Sequence, residues 1–491
     1  MLRHIDRGEG VQLDHRSIRA AQATWSAKPL AERLKVVRAL RTAIAEGARE
    51  LAETVPFESP GQLRRNLADT LVSEVLPLAE ACRFLERRAE RILAPVRQSS
   101  RLRPVWLGGV EVETRREALG VVLVIGPGNY PLFLPGAQAV QALVAGNAVL
   151  WKPAPGGSAA AFALRSLLVE SGLDARLLTV LDDGPEAAQA AIEQGVDKVV
   201  LTGAASTGRA VMRSLAETLT PSVMELSGCD AVFVLPGADL ERVIEAIAFG
   251  MRFNGSATCM APRRLIVSEA VAATLVPGLA SALRSLEPVQ VTQKSQRLLS
   301  DLVEEATLFG ARVLLNGQSG ESGSAELVGV TLVDRGLPSM RLAKTDIFVP
   351  LLTILNAETN EDALDVYGQC PYALTAAVFG PEKAARDFAG RVRAGCVLVN
   401  DVIVSTADPR ASFGGRGMSG FGSTRGAEGL LEMTAVKNIL VQRSKGRRAW
   451  MPTTAAHGDL FVALLRVIHG RGVGRRLEAL RDLLKAARGM K

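Results

Sequence analysis

Histidine is almost missing from this chain of 491 residues, and its four copies lie only at the two ends. His4 and His15 stand near the start, and His457 and His469 stand near the end, so positions 16 to 456 contain none. A Cys–His or Ser–His catalytic pair inside that span is therefore excluded unless a terminus folds back. Any general base there has to be a carboxylate, a lysine or a tyrosine.

Cysteine and long apolar runs are also scarce. The five cysteines are scattered along the chain, at Cys82, Cys229, Cys259, Cys370 and Cys396. This scatter argues against a disulfide framework and against a metal site, and it favours a reducing cytoplasm. The most apolar region, 120–151, is broken by glycine and proline, so no membrane span is expected. The N-terminus has no apolar core of a secretory signal, and we expect a cytoplasmic protein.

The excess of positive charge belongs to the C-terminal end alone. The whole chain has a net charge of +7, whereas residues 443–491 contain 12 Lys/Arg and 3 Asp/Glu, which gives +9. Residues 1–442 therefore carry 7 − 9 = −2. Charge gives no support to nucleic-acid binding by the main body. The length of the chain predicts two or three domains.

The hydrophobic pattern predicts an α/β fold. Helical spacing covers 17–54 and roughly 66–94, and the stretch 101–117 has the pattern of a β-hairpin around a Gly-Gly turn. From Gly120 on, apolar runs alternate with helical segments; these runs are GVVLVI, NAVLWK, LLTVL and DKVVLT. This alternation indicates a parallel, doubly wound sheet. A second α/β segment follows to about residue 420, with RRLIV, LTIL, LTAAVF and CVLVN as candidate strands.

Three segments contain candidate catalytic residues. IGPGNYP places Asn129 after a buried strand, MELSG places Glu225 at the end of another, and NGSATCMAPRR places Cys259 in a small-residue turn. Each segment alone also fits a turn asparagine, a solvated glutamate or an inert buried cysteine. The functional interpretation depends on their combination.

In combination the segments resemble the aldehyde dehydrogenase superfamily, and within it the branch of fatty and aromatic aldehyde dehydrogenases. The same order of motifs continues through 17–442, and the other matching segments are AGNAVLWKP, LTGAASTGR, DIFVP, SFGGRGMSG and EMTAVKN. The spacing from Glu225 to Cys259, 259 − 225 = 34, is also similar to the family's.

The resemblance implies a division into domains. It implies a Rossmann-type cofactor domain at 1–98 and 118–226, and a second α/β catalytic domain at 227–422. A small β oligomerisation element would comprise 99–117 and 423–444. Residues 445–491 would be a basic amphipathic extension. We expect a homo-oligomer, a dimer or a tetramer.

The resemblance also implies a mechanism that needs no histidine. The Cys259 thiolate attacks the aldehyde, and the side-chain amide of Asn129 and the backbone N–H of Cys259 stabilise the oxyanion. Hydride passes to the nicotinamide and leaves a thioester, and Glu225 activates water to release the acid. An apolar or long-chain aldehyde is the expected substrate.

The cofactor residues also follow from the resemblance, which implies NAD or NADP. Lys152 would contact the adenosine ribose or a phosphate on it, and Asp346 the nicotinamide ribose. Gly203, Ser206 and Gly208 would form the phosphate turn, at the N-terminus of a helix. Phe348 would line the nicotinamide pocket, and Pro127 is predicted to contact the cofactor.

Some positions depart from the family pattern. Pro155 stands where NAD-preferring members have a glutamate, which predicts that NADP is accepted or even preferred. Asp346 is one methylene shorter than the usual glutamate, and Ala204 replaces a serine for which Ser206 or Thr207 can compensate. Further departures are found at Gly128, Ser256-Ala257 and Val349. We assign no role to Cys229 or Cys396.

Alternatives remain for the function and for the extension. The chain could be a CoA-acylating aldehyde dehydrogenase, although Glu225 argues against that reaction. It could also be a weakly active binding protein docked by its tail. Beyond the basic linker 445–458, two amphipathic helices are predicted. They could pack on the subunit or its partner, lie on an anionic membrane surface, or dock on a scaffold.

Overall fold

The computed structural model describes residues 14–56, 65–317, 326–445, 450 and 452–488. The expectations for the N-terminal segment up to residue 13, including His4, lie outside these described residues. The same is true of positions 446–449 and 451 in the predicted basic linker. Within the described part, no helix has the length and apolar character needed to span a membrane.

The first part of the chain is helical and ends in two strands. Its elements are α1 (His15–Ala27), α2 (Leu30–Glu46), α3 (Ala48–Glu53), α4 (Leu67–Thr70), α5 (Leu76–Leu93), β1 (Val96–Arg97) and β2 (Val110–Ala118). A π turn, Leu71–Val75, joins α4 to α5. The α5 helix buries Leu78, Cys82, Leu85 and Ala89, which recur every three or four residues along one face.

The next part forms the predicted doubly wound sheet. Its elements are β3 (Val121–Ile125), α6 (Phe133–Ala145), β4 (Ala148–Lys152), α7 (Ser158–Glu170), β5 (Leu178–Val180), α8 (Pro185–Glu193), β6 (Lys198–Gly203), α9 (Ala205–Ala216) and β7 (Ser222–Leu226). Strands β7-β6-β3-β4-β5 are neighbours in that order and run parallel. All residues of β3 and β4 are buried, as expected for a sheet with helices on both faces.

A second α/β layer follows. Its elements are β8 (Asp230–Val234), α10 (Leu240–Arg252), β9 (Pro262–Val267), α11 (Glu269–Arg284), β10 (Val289–Val291), α12 (Gln293–Leu308), β11 (Arg312–Leu315), β12 (Glu326–Val328), β13 (Thr331–Gly336), β14 (Leu351–Asn356), α13 (Asn360–Gly368), β15 (Tyr372–Ala373), β16 (Thr375–Phe379), α14 (Glu382–Ala389) and β17 (Cys396–Val399). Seven strands form one sheet in the order β11-β13-β14-β9-β8-β16-β17.

The last part of the chain first adds strands that pair with earlier strands, and it then forms two helices. It contains β18 (Arg416–Gly417), β19 (Gly420–Phe421), α15 (Gly426–Glu432), β20 (Thr434–Gln442), α16 (Ala455–His469) and α17 (Val473–Arg488). Strand β19 adds to the first sheet beside β7, in the antiparallel direction. Strands β1, β2 and β20 form a separate three-stranded sheet.

The described chain folds as two compact units. One comprises 1–95 and 115–437, and the other comprises 96–114 and 438–491, within the described residues. The predicted α/β class and the alternation of strands and helices after Gly120 are confirmed. The domain boundaries given above stay a prediction.

The predicted hairpin at 101–117 is wrong. Only Val110–Ala118 is a strand there, and the residues before it form two short 3₁₀ turns at Ser100–Leu102 and Val105–Leu107. Pro104, between the two turns, lacks the N–H that a paired strand needs. Strand β2 pairs with β1 instead, so the Gly-Gly pair precedes a strand rather than joining two.

Candidate active site

Two cavities meet at Cys259. The first has a volume of about 240 Å³, and the second has a volume of about 500 Å³. Leu134, Glu225 and Cys259 line both of them. Asn129 lines the second cavity beside the other two candidate catalytic residues. The structure therefore brings together three side chains that lie up to 130 residues apart in the sequence (259 − 129 = 130).

The loop that carries Cys259 has an unusual backbone. Asn254, Gly255 and Ser256 have φ angles of 53°, 57° and 62°, so three consecutive residues are left-handed. That conformation costs about 1 kcal/mol for each residue that has a Cβ, so neighbours have to hold it. Arg263 does so, donating to the Ser256 hydroxyl at 2.9 Å and to its carbonyl at 2.6 Å. Cys259 then lies between α10 and β9, as the sequence predicted.

Burial acts against the ionised form of the Cys259 thiol. It raises the pKa of Cys259 well above its usual range, and the negative charges of Glu225 and Asp230 add to the effect. The positive charge of Arg425 acts in the opposite direction and lowers the pKa. A thiolate at this position therefore depends on nearby positive charge.

Glu225 lies at the end of β7 with one of its carboxylate oxygens unpaired. Its Oε2 accepts a hydrogen bond of 2.9 Å from the Thr424 hydroxyl. Its Oε1 is buried and has no hydrogen-bond partner among the described residues. Burial raises the pKa of Glu225, and Arg425 and the Thr424 hydrogen bond partly offset this rise. A desolvated carboxylate with a free oxygen is suited to accept a proton from water.

Asn129 follows β3, in the loop that leads to α6. Its Nδ2 donates 2.8 Å to the carbonyl of Ala257, two residues before Cys259. An amide nitrogen has two N–H groups, so one donor remains for a second acceptor. The carbonyl of Asn129 itself accepts hydrogen bonds from Arg65 and from Asn254, the latter at 3.1 Å.

Sequence reasoning missed the buried pair of Arg65 and Glu74 that supports this loop. Their side chains are 2% and 0% exposed, and they form an ion pair of 2.7 Å. Arg65 also donates to the Asn254 side chain, and Glu74 accepts the backbone N–H of Phe133 at 2.6 Å. Glu74 belongs to the π turn before α5, a feature often found near functional sites. Two polar residues in a helical run carry no sequence signal of such burial.

Four of the predicted cofactor residues line the second cavity: Pro127, Gly203, Asp346 and Phe348. Asp346 accepts a hydrogen bond from the Ser227 hydroxyl, which fixes its carboxylate. At Gly203 an added Cβ would come no closer than 3.6 Å to another protein atom. Packing within the protein therefore does not demand glycine there, and the open space suits the close approach of a ligand.

The other three predicted cofactor residues lie outside that cavity lining. Ser206 is exposed in the first turn of α9, next to the end of β6. At Gly208 a Cβ would meet Leu226 at 2.9 Å, so packing alone explains that glycine. Lys152 is buried at the end of β4, and no ion pair joins it to another described residue. Burial lowers its pKa, against the opposing charges of Asp183 and Glu186. An unpaired buried ammonium is suited to bind ligand oxygens.

The first cavity is apolar and rich in aromatic side chains. Its lining includes Val72, Pro77, Tyr130, Phe133, Phe249, Phe253, Met260, Ile403, Val404 and Phe413. Among the described residues that line it, Arg425 is the only one with a positive charge. Sequence reasoning also missed Arg425, although it lies just beyond the SFGGRGMSG segment.

Comparison with known proteins gives a consistent family. A sequence profile of the Aldehyde dehydrogenase family matches residues 8–439. The 4,4'-diapolycopene aldehyde oxidase of Methylomonas sp is 30% identical over 470 residues, covering 92% of this chain and 86% of that protein. A relative from Mycobacterium ulcerans has the name putative succinate-semialdehyde dehydrogenase [NADP(+)] 2. It is 27% identical, and the match covers 89% of this chain and 86% of that protein.

A solved structure gives the same answer for the fold. The NAD+ complex of aldehyde dehydrogenase from Bacillus cereus has a TM-score of 0.77 and 25% sequence identity. The match covers 88% of this chain and 89% of that one. The chain therefore belongs to the aldehyde dehydrogenase family and is an NAD(P)-dependent aldehyde dehydrogenase.

Proposed function

We propose that this protein oxidises an apolar aldehyde to the carboxylic acid, with Cys259 as nucleophile and Glu225 as general base. The observation that carries the proposal is the position of these two residues, which line both cavities. The apolar cavity would hold the aldehyde, and the larger cavity would hold the reactive part of the cofactor. Both reaction partners then reach the same sulfur atom from different sides.

Each step uses groups of this chain. The Cys259 Sγ bonds to the aldehyde carbon, and the carbonyl π electrons move to the oxygen. The remaining N–H of Asn129 and the backbone N–H of Cys259 stabilise that negative oxygen. When bound, nicotinamide would supply the two-electron acceptor for the hydride that leaves this carbon as the oxyanion re-forms the C=O bond, which leaves a thioester on Cys259. Glu225 Oε1 then takes a proton from water while the water oxygen attacks the thioester, and the C–S bond breaks.

We propose an aldehyde with a conjugated or aryl end as the substrate class. Aromatic side chains prefer stacked or edge-to-face contacts with such groups. The cavity has a volume of about 240 Å³ and a mostly apolar lining, which suits the apolar end of an aldehyde. The Methylomonas relative has the name 4,4'-diapolycopene aldehyde oxidase.

NADP is expected to be accepted beside NAD. Pro155 provides no carboxylate to repel a 2′-phosphate, and Lys152 would bind ribose oxygens or that phosphate. The carboxylates of Asp183 and Glu186 are near enough to act on the Lys152 charge, and they limit the preference for NADP. A strong kinetic preference for NAD would contradict this expectation.

We propose that the second unit mediates contacts with other surfaces. Strand β20 exposes Leu440 and Val441 in this unit, and they would be covered in a dimer or tetramer. The outer face of α17 exposes Val473, Leu477, Leu480 and Leu484. Arg476, Arg481 and Arg488 flank this stripe in sequence, as in helices that lie on an anionic membrane surface. A cytoplasmic enzyme with a peripheral membrane contact would have this arrangement.

The reaction is tested with an aldehyde panel run with NAD and with NADP, in the presence and absence of CoA. Acid formation that is independent of CoA supports hydrolysis through Glu225 and excludes the CoA-acylating alternative. Cys259→Ala should abolish reduction of the cofactor, and Glu225→Gln should leave a single burst of reduction without turnover. Activity retained in Cys259→Ala would refute the mechanism. No reduction with any aldehyde in the wild type would instead favour a binding protein.

A further inference from the structure

The Arg425 guanidinium is a buried cation beside the proposed catalytic pair. The residue is 5% exposed and immediately precedes α15, with a left-handed φ of 58°. It lines the cavity that Cys259 and Glu225 also line. Its neighbour Thr424 holds Glu225 by the 2.9 Å hydrogen bond, so one short segment contacts the base and carries this cation.

The environment of Arg425 holds its side chain without neutralising it. Nη1 donates 2.7 Å to the Thr406 carbonyl, and the guanidinium carbon lies 4.5 Å from the ring centroid of Phe413. On another side it lies 5.6 Å from the ring centroid of Phe133. No carboxylate forms an ion pair with it among the described residues, and its Nε–H is buried without an acceptor. Contacts with aromatic faces fix an arginine and leave its charge available.

The site needs such a charge. Cys259 and Glu225 both have to be negative at some point in the reaction, and burial disfavours both anions. Positions 16 to 456 contain no histidine, so no imidazolium from that span can accompany the thiolate. Within the described lining of the aldehyde cavity, Arg425 alone is cationic. The second cavity, which Cys259 and Glu225 also line, has the charged side chains of Lys294 and Asp346.

We propose that Arg425 is a positioning residue, whose positive charge stabilises the Cys259 thiolate before attack and the Glu225 carboxylate before hydrolysis. This inference rests on the proposed roles of Cys259 and Glu225. The Arg425 guanidinium acts through space and forms no bond to the substrate. Because arginine stays protonated throughout the pH range of catalysis, it would supply this charge under all working conditions, which an imidazole would not.

Electrostatics agrees with the geometry. The positive charge of Arg425 lowers the pKa of Cys259 and of Glu225, against the effect of burial. Burial in turn lowers the pKa of Arg425, while Glu225 and Cys259 act to raise it. Arg425 and each of the two anions therefore stabilise one another's charged forms, whereas Glu225 and the Cys259 thiolate repel each other.

The test is the pH dependence of Cys259 alkylation by iodoacetamide, followed by mass spectrometry of the Cys259 peptide in the full chain. Arg425→Met should move the midpoint of this profile upward by about one pH unit, and alkylation at neutral pH should slow about ten-fold. Arg425→Lys should stay near the wild type, because it keeps the charge. The matched control is Arg252→Met. Arg252 is exposed, and its guanidinium carbon lies 5.9 Å from the ring centroid of Phe249, which also lines the aldehyde cavity. It should leave the midpoint unchanged.

An unchanged midpoint in a folded Arg425→Met protein would overturn the inference. So would an unchanged profile with a raised KM only for aldehydes that carry a carboxylate, because Arg425 would then be a substrate ligand. If Arg425→Met does not fold, Arg425→Gln is used in its place, because it keeps a hydrogen-bond donor for the Thr406 carbonyl. Its alkylation profile is then compared with that of Arg425→Lys. Because alkylation requires no turnover, this result is separate from the activity of Cys259→Ala, which decides the proposed function.

Discussion

Glu225 has to be ionised to act as a base, and its surroundings raise the pH at which this happens. Burial raises its pKa above the ordinary carboxyl range. As the pH falls through this raised pKa the carboxylate is protonated, so we expect steady-state kcat to decline at a higher pH than for an exposed glutamate. In Glu225→Gln this acid limb should disappear, with kcat reduced by about 10²- to 10⁴-fold.

The amplitude of the first burst of cofactor reduction serves as the control for Glu225, because it depends on Cys259 and not on hydrolysis. The burst should survive in Glu225→Gln while turnover is lost. If kcat of this variant stays within a factor of two of the wild type, another group is the base.

Glu186 influences the choice between the two dinucleotides. It is exposed in the first turn of α8, and its charge acts on Lys152. Glu186→Gln removes a negative charge near the site proposed for the 2′-phosphate. We expect the ratio of kcat/KM for NADP over NAD to rise about two- to five-fold, the range for an exposed charge. Glu193→Gln, at the other end of the same helix, is the control. A ratio that moves toward NAD would contradict the proposed role of Lys152.

The π turn before α5 stabilises the loop of Cys259 from outside the cofactor sheet. Glu74→Gln leaves Arg65 buried without its counter-charge, and the ion pair they form is almost completely buried. We expect unfolding free energy to fall by about 3 kcal/mol. In the exposed control Glu80→Gln, which loses its pair with Arg83, the change should be within about 0.5 kcal/mol. Urea unfolding measures the stability of both variants. Equal unfolding midpoints for Glu74→Gln and Glu80→Gln would refute the stabilising role of the Arg65–Glu74 pair.

Sequence patterns predicted the elements that are determined by their own residues. They missed the features that depend on contacts between distant segments. The strand around Val121–Ile125 is an unbroken apolar run, and its burial on both faces follows from that composition. Cys259, Glu225 and Asn129 were predicted as site residues because ordered motifs surround them, and all three line a common cavity. Arg65 and Arg425 were missed because their burial depends on contacts with segments far away in sequence, such as Asn254 for Arg65 and Phe133 for Arg425. The supposed hairpin failed because periodicity cannot show that Pro104 lies between two 3₁₀ turns.

For the whole molecule, the exposed stripe of α17 predicts binding to anionic vesicles. The full chain should sediment with phosphatidylserine-containing vesicles and be released by high salt, because arginines contribute about 1 kcal/mol each near such a surface. Leu480→Glu should remove the binding and leave the dehydrogenase activity intact.

Leu308→Glu is the matched control for the vesicle experiment, since Leu308 is 82% exposed at the end of α12 in the other unit. If Leu480→Glu and the wild type sediment equally, the membrane contact is refuted. A change of oligomeric state in Leu480→Glu, measured by sedimentation velocity, would assign the stripe to a subunit interface instead.

Because two cavities meet at Cys259, an inhibitor can fill one of them and leave the other open. An apolar compound seated among Phe133, Phe249 and Phe413 should be competitive with the aldehyde yet leave the affinity for the dinucleotide unaltered. Such a compound would trap a ternary complex at high cofactor concentration. Selective inhibitors of this enzyme would then depend on the aromatic lining of the first cavity, not on the cavity proposed for the cofactor.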